Sequence, residues 1–306
     1  MQRHDADQQF VDDDTLARYR SIYGLGPSTT KAQVFHHLAL EGRLTRELIA
    51  STPDDRWEVF ERAYSQLYSE LSWLNTHDDN PPDERMLRRW SKLIRRKSRI
   101  FEVGSGKAAL LKHLNKQGHQ CVATEITRER GVRHAAGADI EWHTTDGVHL
   151  DEFEPAAEYD LVISTQVIEH LHPDDLLDHL RGAKAILKPG GAYMFDTPHR
   201  GTGPHDLSQV LGYSRPRFMH LKEYDYPELG AALDAAGYGK IKAIFVRRNI
   251  QISSRLLFSY YKWVDRLVSK LKLKPAVERK IRRSRLFRFL GPQGNIWLCA
   301  YPSPKR

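Results

Sequence analysis

The residue types able to do chemistry concentrate in three short stretches. The first is Ile100-Phe-Glu-Val-Gly-Ser-Gly-Lys-Ala-Ala109. An apolar run there ends in a glycine-rich turn that opens a helix. Gly104 and Gly106 permit a tight turn and a close backbone approach to a ligand. The first turn of the helix offers N–H groups with no internal partner. Roughly twenty residues on, Glu125 closes the next apolar run, where a carboxylate accepts hydrogen bonds from a ribose diol. Gly104-x-Gly106-x-x-Ala109 also fits the fingerprint of a nicotinamide dinucleotide site. Glu102 separates the two readings. A carboxylate two residues before the first glycine repels a pyrophosphate and suits a ligand that carries an ammonium and a sulfonium.

The second stretch is Tyr159 to Leu171, a buried strand that runs into a polar loop with Glu169 and His170. The third is Asp196-Thr-Pro-His199, followed by His205-Asp206. Imidazole titrates near neutral pH and can take the proton of a hydroxyl nucleophile. His170 is the first candidate base, His199 the second and His205 the third. All three follow parallel strands, on the edge where α/β sheets bind ligands.

Strands and helices in alternation must position these groups. Arg99–Val103, Gln120–Glu125, Asp139–His143, Asp160–Ser164, Gly191–Asp196 and Lys240–Val246 read as strands. Ala108–Gln117, Pro173–Leu187 and Tyr226–Ala236 read as helices between them. That order predicts an α/β fold with a doubly wound, mostly parallel sheet. Asn295–Tyr301 is a last strand. Apolar residues at helical spacing over 10–74, such as Trp57, Phe60, Tyr64, Leu67 and Leu71, predict a helical N-terminal region. Asn80-Pro81-Pro82-Asp83 is a linker, and a basic helix over 84–96 follows it. The chain divides into a helical cap (1–96), a core (97–250), a basic amphipathic insert (251–290), and the last strand with its tail (291–306).

The 306 residues carry 47 Lys and Arg against 39 Asp and Glu, a net charge of +8. Apolar residues at 40% and charged residues at 28% are ordinary for a globular chain and exclude general disorder. Two cysteines exclude a disulfide scaffold and a cysteine-based zinc site. With no secretory signal pattern at the start, they predict a cytoplasmic setting. The excess charge is local: residues 251–290 hold twelve basic side chains and two acids. Within it, Leu257, Tyr260, Val264, Leu267 and Leu271 share one helical face, and Arg255, Lys262, Arg266 and Lys270 the opposite one. The apolar face is expected to pack on the body of the protein. Alternatively, the segment touches an anionic membrane or a lipid substrate, with Tyr261 and Trp263 near the edge. A nucleic-acid partner fits the charge less well, since no RNA-binding module accompanies it.

The glycine loop with Glu102, the strand ending in Glu125, Tyr159–Leu171 and Ala185-Ile-Leu-Lys-Pro-Gly-Gly191 occur in order and at family spacing. Over about residues 97–250 plus the last strand, the chain resembles the class I S-adenosylmethionine-dependent methyltransferases. The subgroup that includes ubiquinone-pathway O-methyltransferases is the nearest in character. The resemblance implies a Rossmann-like seven-stranded sheet and S-adenosyl-L-methionine as the cofactor. It implies that Glu102, Gly104, Ser105 and Gly106 line the methionine part, and that Glu125 holds the ribose hydroxyls. Asp146 would meet the adenine amino group, and Gln166 and Val167 would close the pocket. Ala108 departs from the family, where a third glycine is common.

Some relatives, including small-RNA 2′-O-methyltransferases, hold a divalent ion with Glu-x-x-Glu-His and a later histidine. Here Gln166 replaces the first carboxylate ahead of Glu169, His170 and His220, so no metal is assigned. Family topology would set the insert beside the active site as a lid. The implied activity is in-line methyl transfer, O-directed, to a small-molecule, glycan or lipid-linked acceptor. The alternatives are an RNA methyltransferase and a non-catalytic binding protein on the same fold. The oligomeric state is left open.

Overall fold

The computed structural model describes residues 11–75, 84–94, 96–127, 137–247, 250–285, 287, 291–292 and 294–304. The expected linker 80–83 and the last residues of the insert, 288–290, lie outside them.

The core is one eight-stranded sheet. In chain order its strands are β1 (Arg99–Val103), β2 (Gln120–Glu125), β3 (Ile140–Thr144) and β4 (Tyr159–Thr165). β5 (Leu187–Pro198), β6 (Tyr238–Arg247), β7 (Ile250–Ser254) and β8 (Asn295–Pro302) complete it. The spatial order is β3-β2-β1-β4-β5-β8-β6-β7. β1 to β5 pair in parallel, whereas β8 runs antiparallel to both β5 and β6. β7 is one strand more than the seven expected. It returns from β6 as an antiparallel edge strand. Its pattern, Ile-Gln-Ile-Ser-Ser, alternates over only five residues and gives little periodicity to read.

Side chains of the central strands alternate between two cores, as the pleat requires. Phe101, Val162, Tyr193 and Phe195 face one, with Leu180, Leu229 and Phe258 from the covering helices. Ile100, Ile163, Ala192 and Met194 face the other, with Trp90 and Leu110. Strands buried on both faces read as near-continuous apolar runs, which is why they stand out in the sequence.

Three long helices form the cap: α1 (Asp13–Tyr23), α2 (Lys31–Ala50) and α3 (Arg56–Glu70). α2 starts at a capping box between Thr30 and Gln33. Val34 and Leu38 of α2 pack with Leu207, Val210 and Phe218, so the cap docks on the segment that follows β5. The basic helix α4 (Glu84–Leu93) buries Trp90 against Trp297, at 5.3 Å between ring centroids. α5 (Ala109–Asn115), α6 (Leu176–Ala185) and α7 (Tyr226–Ala235) follow in the core. The insert forms α8 (Arg255–Lys270) and α9 (Pro275–Arg282).

The insert differs from expectation in two ways. It packs against β6 and α7, and none of its described residues lines the cavity at the carboxyl ends of the strands, so these do not form the expected lid. α8 also buries a different face: Phe258, Tyr261, Val264, Asp265 and Val268 point inward, and Tyr260, Leu267 and Leu271 are exposed. Asp265 sets that rotation. Its carboxylate accepts from His199 Nε2, Arg282 Nη1 and the Tyr226 backbone N–H. A buried charge with three partners cannot turn outward without leaving Arg282 short of one.

Candidate active site

A cavity of about 400 Å³ opens at the carboxyl ends of β1, β2, β3 and β4. Its floor is the turn after β1. Gly104 and Gly106 adopt φ of +65° and +55°, which favours glycine at both positions. A Cβ on Gly104 would lie 2.7 Å from Val167 Cγ2, so the missing side chain keeps the cradle open. Ala108 also takes a left-handed φ of +53°, the family's glycine position carrying a methyl group. Ser105 does not face the cavity. Its Oγ donates to the Glu102 carbonyl at 3.0 Å and accepts from Thr124 N–H at 3.1 Å, tying β1 to β2.

Six of the eight expected cofactor residues line the cavity: Gly104, Gly106, Glu125, Asp146, Gln166 and Val167. Glu125 Oε1 accepts the Gly106 N–H at 2.5 Å, which holds the carboxylate over the glycine turn. Asp146 is fixed by the backbone N–H groups of Val148 and His149, at 2.8 and 2.9 Å. Gln166 donates from Nε2 to Asp196 Oδ2 at 2.7 Å. Glu102 sits beneath the turn, buried, with no hydrogen-bond partner for Oε2. Burial pushes its carboxyl well above the usual range, and the nearby Glu125 adds to it. Burial likewise raises Asp196 to about 7. A buried acid short of a donor beneath a glycine cradle suits a ligand that brings its own positive charge. With Glu125 in the cavity, these carboxylates fit the ammonium, sulfonium and ribose hydroxyls of S-adenosyl-L-methionine.

The candidate bases separate. His170 lines the cavity. Its Nδ1–H donates to the Met219 carbonyl at 2.9 Å, leaving the lone pair on Nε2. His220 packs edge-on against it at 4.8 Å and donates from Nδ1 to Glu223 Oε1 at 3.0 Å. Glu169 accepts from Thr197 Oγ1 at 2.9 Å, and its Oε1 has no partner. Burial raises Glu169 to about 7, against the pull of His220. Glu169, His170 and His220 each bring a donor atom within 4.8 Å of the others.

His199 is not at this cavity. Its Nε2 donates to Asp265 and its Nδ1 accepts the Gly201 N–H at 2.9 Å, so both nitrogens are committed and it cannot act as the base. His205 is displaced too. Its Nε2 lies 3.0 Å from Thr202 Oγ1, its backbone N–H donates to Glu223, and it does not line the cavity.

The outer wall comes from the cap: Glu41 of α2 and Phe60, Tyr64, Leu67 and Tyr68 of α3. Glu41 accepts from His37 Nε2 at 2.7 Å, and His37 Nδ1 lies 2.6 Å from Tyr19 Oη. The α3 residues recur at helical spacing in the sequence, but that spacing does not tell an active-site wall from a core face.

The profile of the family described as "Methyltransferase domain" matches residues 74–243, more than half of the chain. No curated protein matches the chain. Among solved structures, it resembles Burkholderia thailandensis 1,6-didemethyltoxoflavin-N1-methyltransferase, which has 1,6-didemethyltoxoflavin and S-adenosylhomocysteine bound. Identity is 15%, with 83% of this chain and 91% of that one covered at a TM-score of 0.51. A Thermotoga maritima S-adenosylmethionine-dependent enzyme, a possible histamine N-methyltransferase, is 12% identical. That match covers 81% and 99% of the two chains at a TM-score of 0.50. At such identities the likeness is one of fold.

Proposed function

Since this chain belongs to the methyltransferase domain family, with S-adenosyl-L-methionine as its methyl donor, we propose that it methylates a hydroxyl of its acceptor with His170 as the base. The acceptor class is a small molecule, a glycan or a lipid-linked precursor. The donor supplies a methyl carbon already activated towards in-line displacement. The protein's remaining task is to align the nucleophile and receive its proton. His170 supports this reading most directly: it is the histidine in the cavity wall whose Nδ1–H is held by a carbonyl, so Nε2 can accept a proton. Tyr64 packs edge-on against its ring at 6.5 Å and, with Phe60 and Leu67, keeps the outer wall apolar against water. Glu125 binds and orients the donor, Glu102 sets a negative charge beneath it, and the bare Gly104 turn lets the donor approach the backbone.

His170→Ala tests the assignment. General-base loss costs roughly 10²–10⁴-fold in turnover. Affinity for S-adenosylhomocysteine should stay as in wild type. Labelled methyl transfer into pools of hydroxylated small molecules, glycans and lipid extracts supplies the acceptor. Unchanged turnover on that acceptor would remove His170 as the base.

The cluster of Glu169, His170 and His220 favours a second reading. Both imidazoles already donate Nδ1–H to an oxygen, as metal-bound histidines do. On this reading the three residues hold a divalent ion that polarises the acceptor hydroxyl. Chelation would then stop turnover, and added zinc or manganese would restore it. With His170 as a simple base, a chelator has no effect.

A further inference from the structure

Among the described residues, fourteen large apolar side chains are exposed, and nine of them lie between Ile250 and Ile281. Five form a line on α8 and its C-terminal extension: Leu256, Tyr260, Trp263, Leu267 and Leu271, exposed by 82, 40, 58, 46 and 59%. Spacings of four, three, four and four residues keep them on one helix face. This face is not a core face left uncovered. α8 already buries Phe258, Tyr261, Val264 and Val268 on another side, and Asp265 locks that rotation through His199 and Arg282. The helix is therefore apolar twice, once inward and once outward. Val277 and Ile281, one turn apart on α9, add two more exposed apolar groups.

The charges say what covers the outer face. At 3.6 residues per turn, Arg255, Lys262, Arg266 and Lys270 run along one flank of the apolar line. Lys272, Lys274 and Lys280 are exposed just beyond. Both acids of the segment are spent internally, since Asp265 and Glu278 each bind Arg282. A second copy of this chain would set these cations against themselves. A nucleic acid would pair with the cations and gain nothing from Leu256, Leu267 or Leu271. A lipid surface satisfies both: aliphatic groups and Trp263 enter the headgroup boundary, and the cations meet anionic headgroups. No helix among the described residues is long and apolar enough to cross a membrane, so the contact lies along the surface.

We propose that the outer face of α8 is a peripheral docking surface for anionic membranes. It stands apart from methyl transfer, and its test involves no turnover. The full chain is floated with vesicles of phosphatidylcholine containing phosphatidylserine, and with pure phosphatidylcholine. Wild type should float with the anionic vesicles and largely remain behind with the neutral ones. Trp263→Ser with Leu267→Ser should weaken binding at least about tenfold, because both side chains insert. Arg266→Gln with Lys270→Gln should weaken it about tenfold or more, and added salt should mimic that loss in wild type. All four side chains are exposed, so an unchanged melting temperature certifies the fold of each variant.

The proposal is overturned if wild type stays out of the anionic vesicles. It is equally overturned if the serine variant binds them as well as wild type does. Concentration-dependent dimerisation that the serine variant abolishes, with no vesicle binding, would assign the face to a second copy instead. Binding to RNA that only the glutamine variant loses, again with no vesicle binding, would assign it to nucleic acid.

Discussion

Glu102 lies beneath the glycine turn and is not among the residues that line the cavity. Its carboxylate is buried, one oxygen lacks a partner, and burial keeps its proton on well above the ordinary value of 4.5. A cationic ligand beside it stabilises the ionised form, so binding should expel a proton. The sign follows. At low pH the ligand must displace that proton, and affinity rises with pH until Glu102 is ionised in the free protein as well. Calorimetry of S-adenosylmethionine binding in buffers of different ionisation enthalpy should show proton release. Glu102→Gln should reduce both the release and the pH dependence. Affinity that falls with rising pH would contradict the assignment. Glu102 could be singled out in the sequence because its partners are local in the chain. His199 could not be read that way: a histidine after a strand carries no sign that its partner, Asp265, lies 66 positions on.

At the scale of elements, one buried network holds the insert to the core. Burial alone would raise Asp265, but the hydrogen bond from His199 and the charge and hydrogen bond of Arg282 outweigh it and hold the carboxyl at about 2. Its folded value lies below the unfolded 3.8, so its stabilisation is present above that pH and lost as pH falls towards 2. The shift corresponds to about 2 kcal/mol. Asp265→Asn forfeits it and leaves Arg282 with Glu278 alone, a loss of about 3 kcal/mol for a broken buried pair. Urea unfolding at neutral pH should show that gap. Followed downward in pH, the gap should narrow below about 4. A variant as stable as wild type would show that the network does not anchor the insert. The same network decides which face of α8 is buried: with apolar residues on two sides, helical periodicity alone does not choose between them, and the choice rests on contacts with His199 after β5, Tyr226 of α7 and Arg282 of α9.

Over the whole molecule, a parallel sheet with helices on both faces sets one wall of the cavity and a separate helical cap sets the other. The sheet wall was legible because each part lies within a few residues of a strand end: Gly104 and Gly106 after β1, Glu125 at the end of β2, Asp146 after β3, Gln166 and Val167 after β4. The cap wall was legible only as an amphipathic helix. Which side of α3 faces the cavity depends on how the cap seats on residues 207–219, a contact between distant parts of the chain. The central claim is that this cavity binds the methyl donor through both the glycine cradle and Glu125. The most direct measurement is calorimetric titration with S-adenosylhomocysteine, with NAD as the control, on wild type and Glu125→Ala. Wild type should bind S-adenosylhomocysteine and not NAD, and the variant should bind it more weakly by roughly 1–3 kcal/mol, the worth of hydrogen bonds to a charged acceptor. Binding of NAD instead, or equal affinity in the two proteins, would contradict the account.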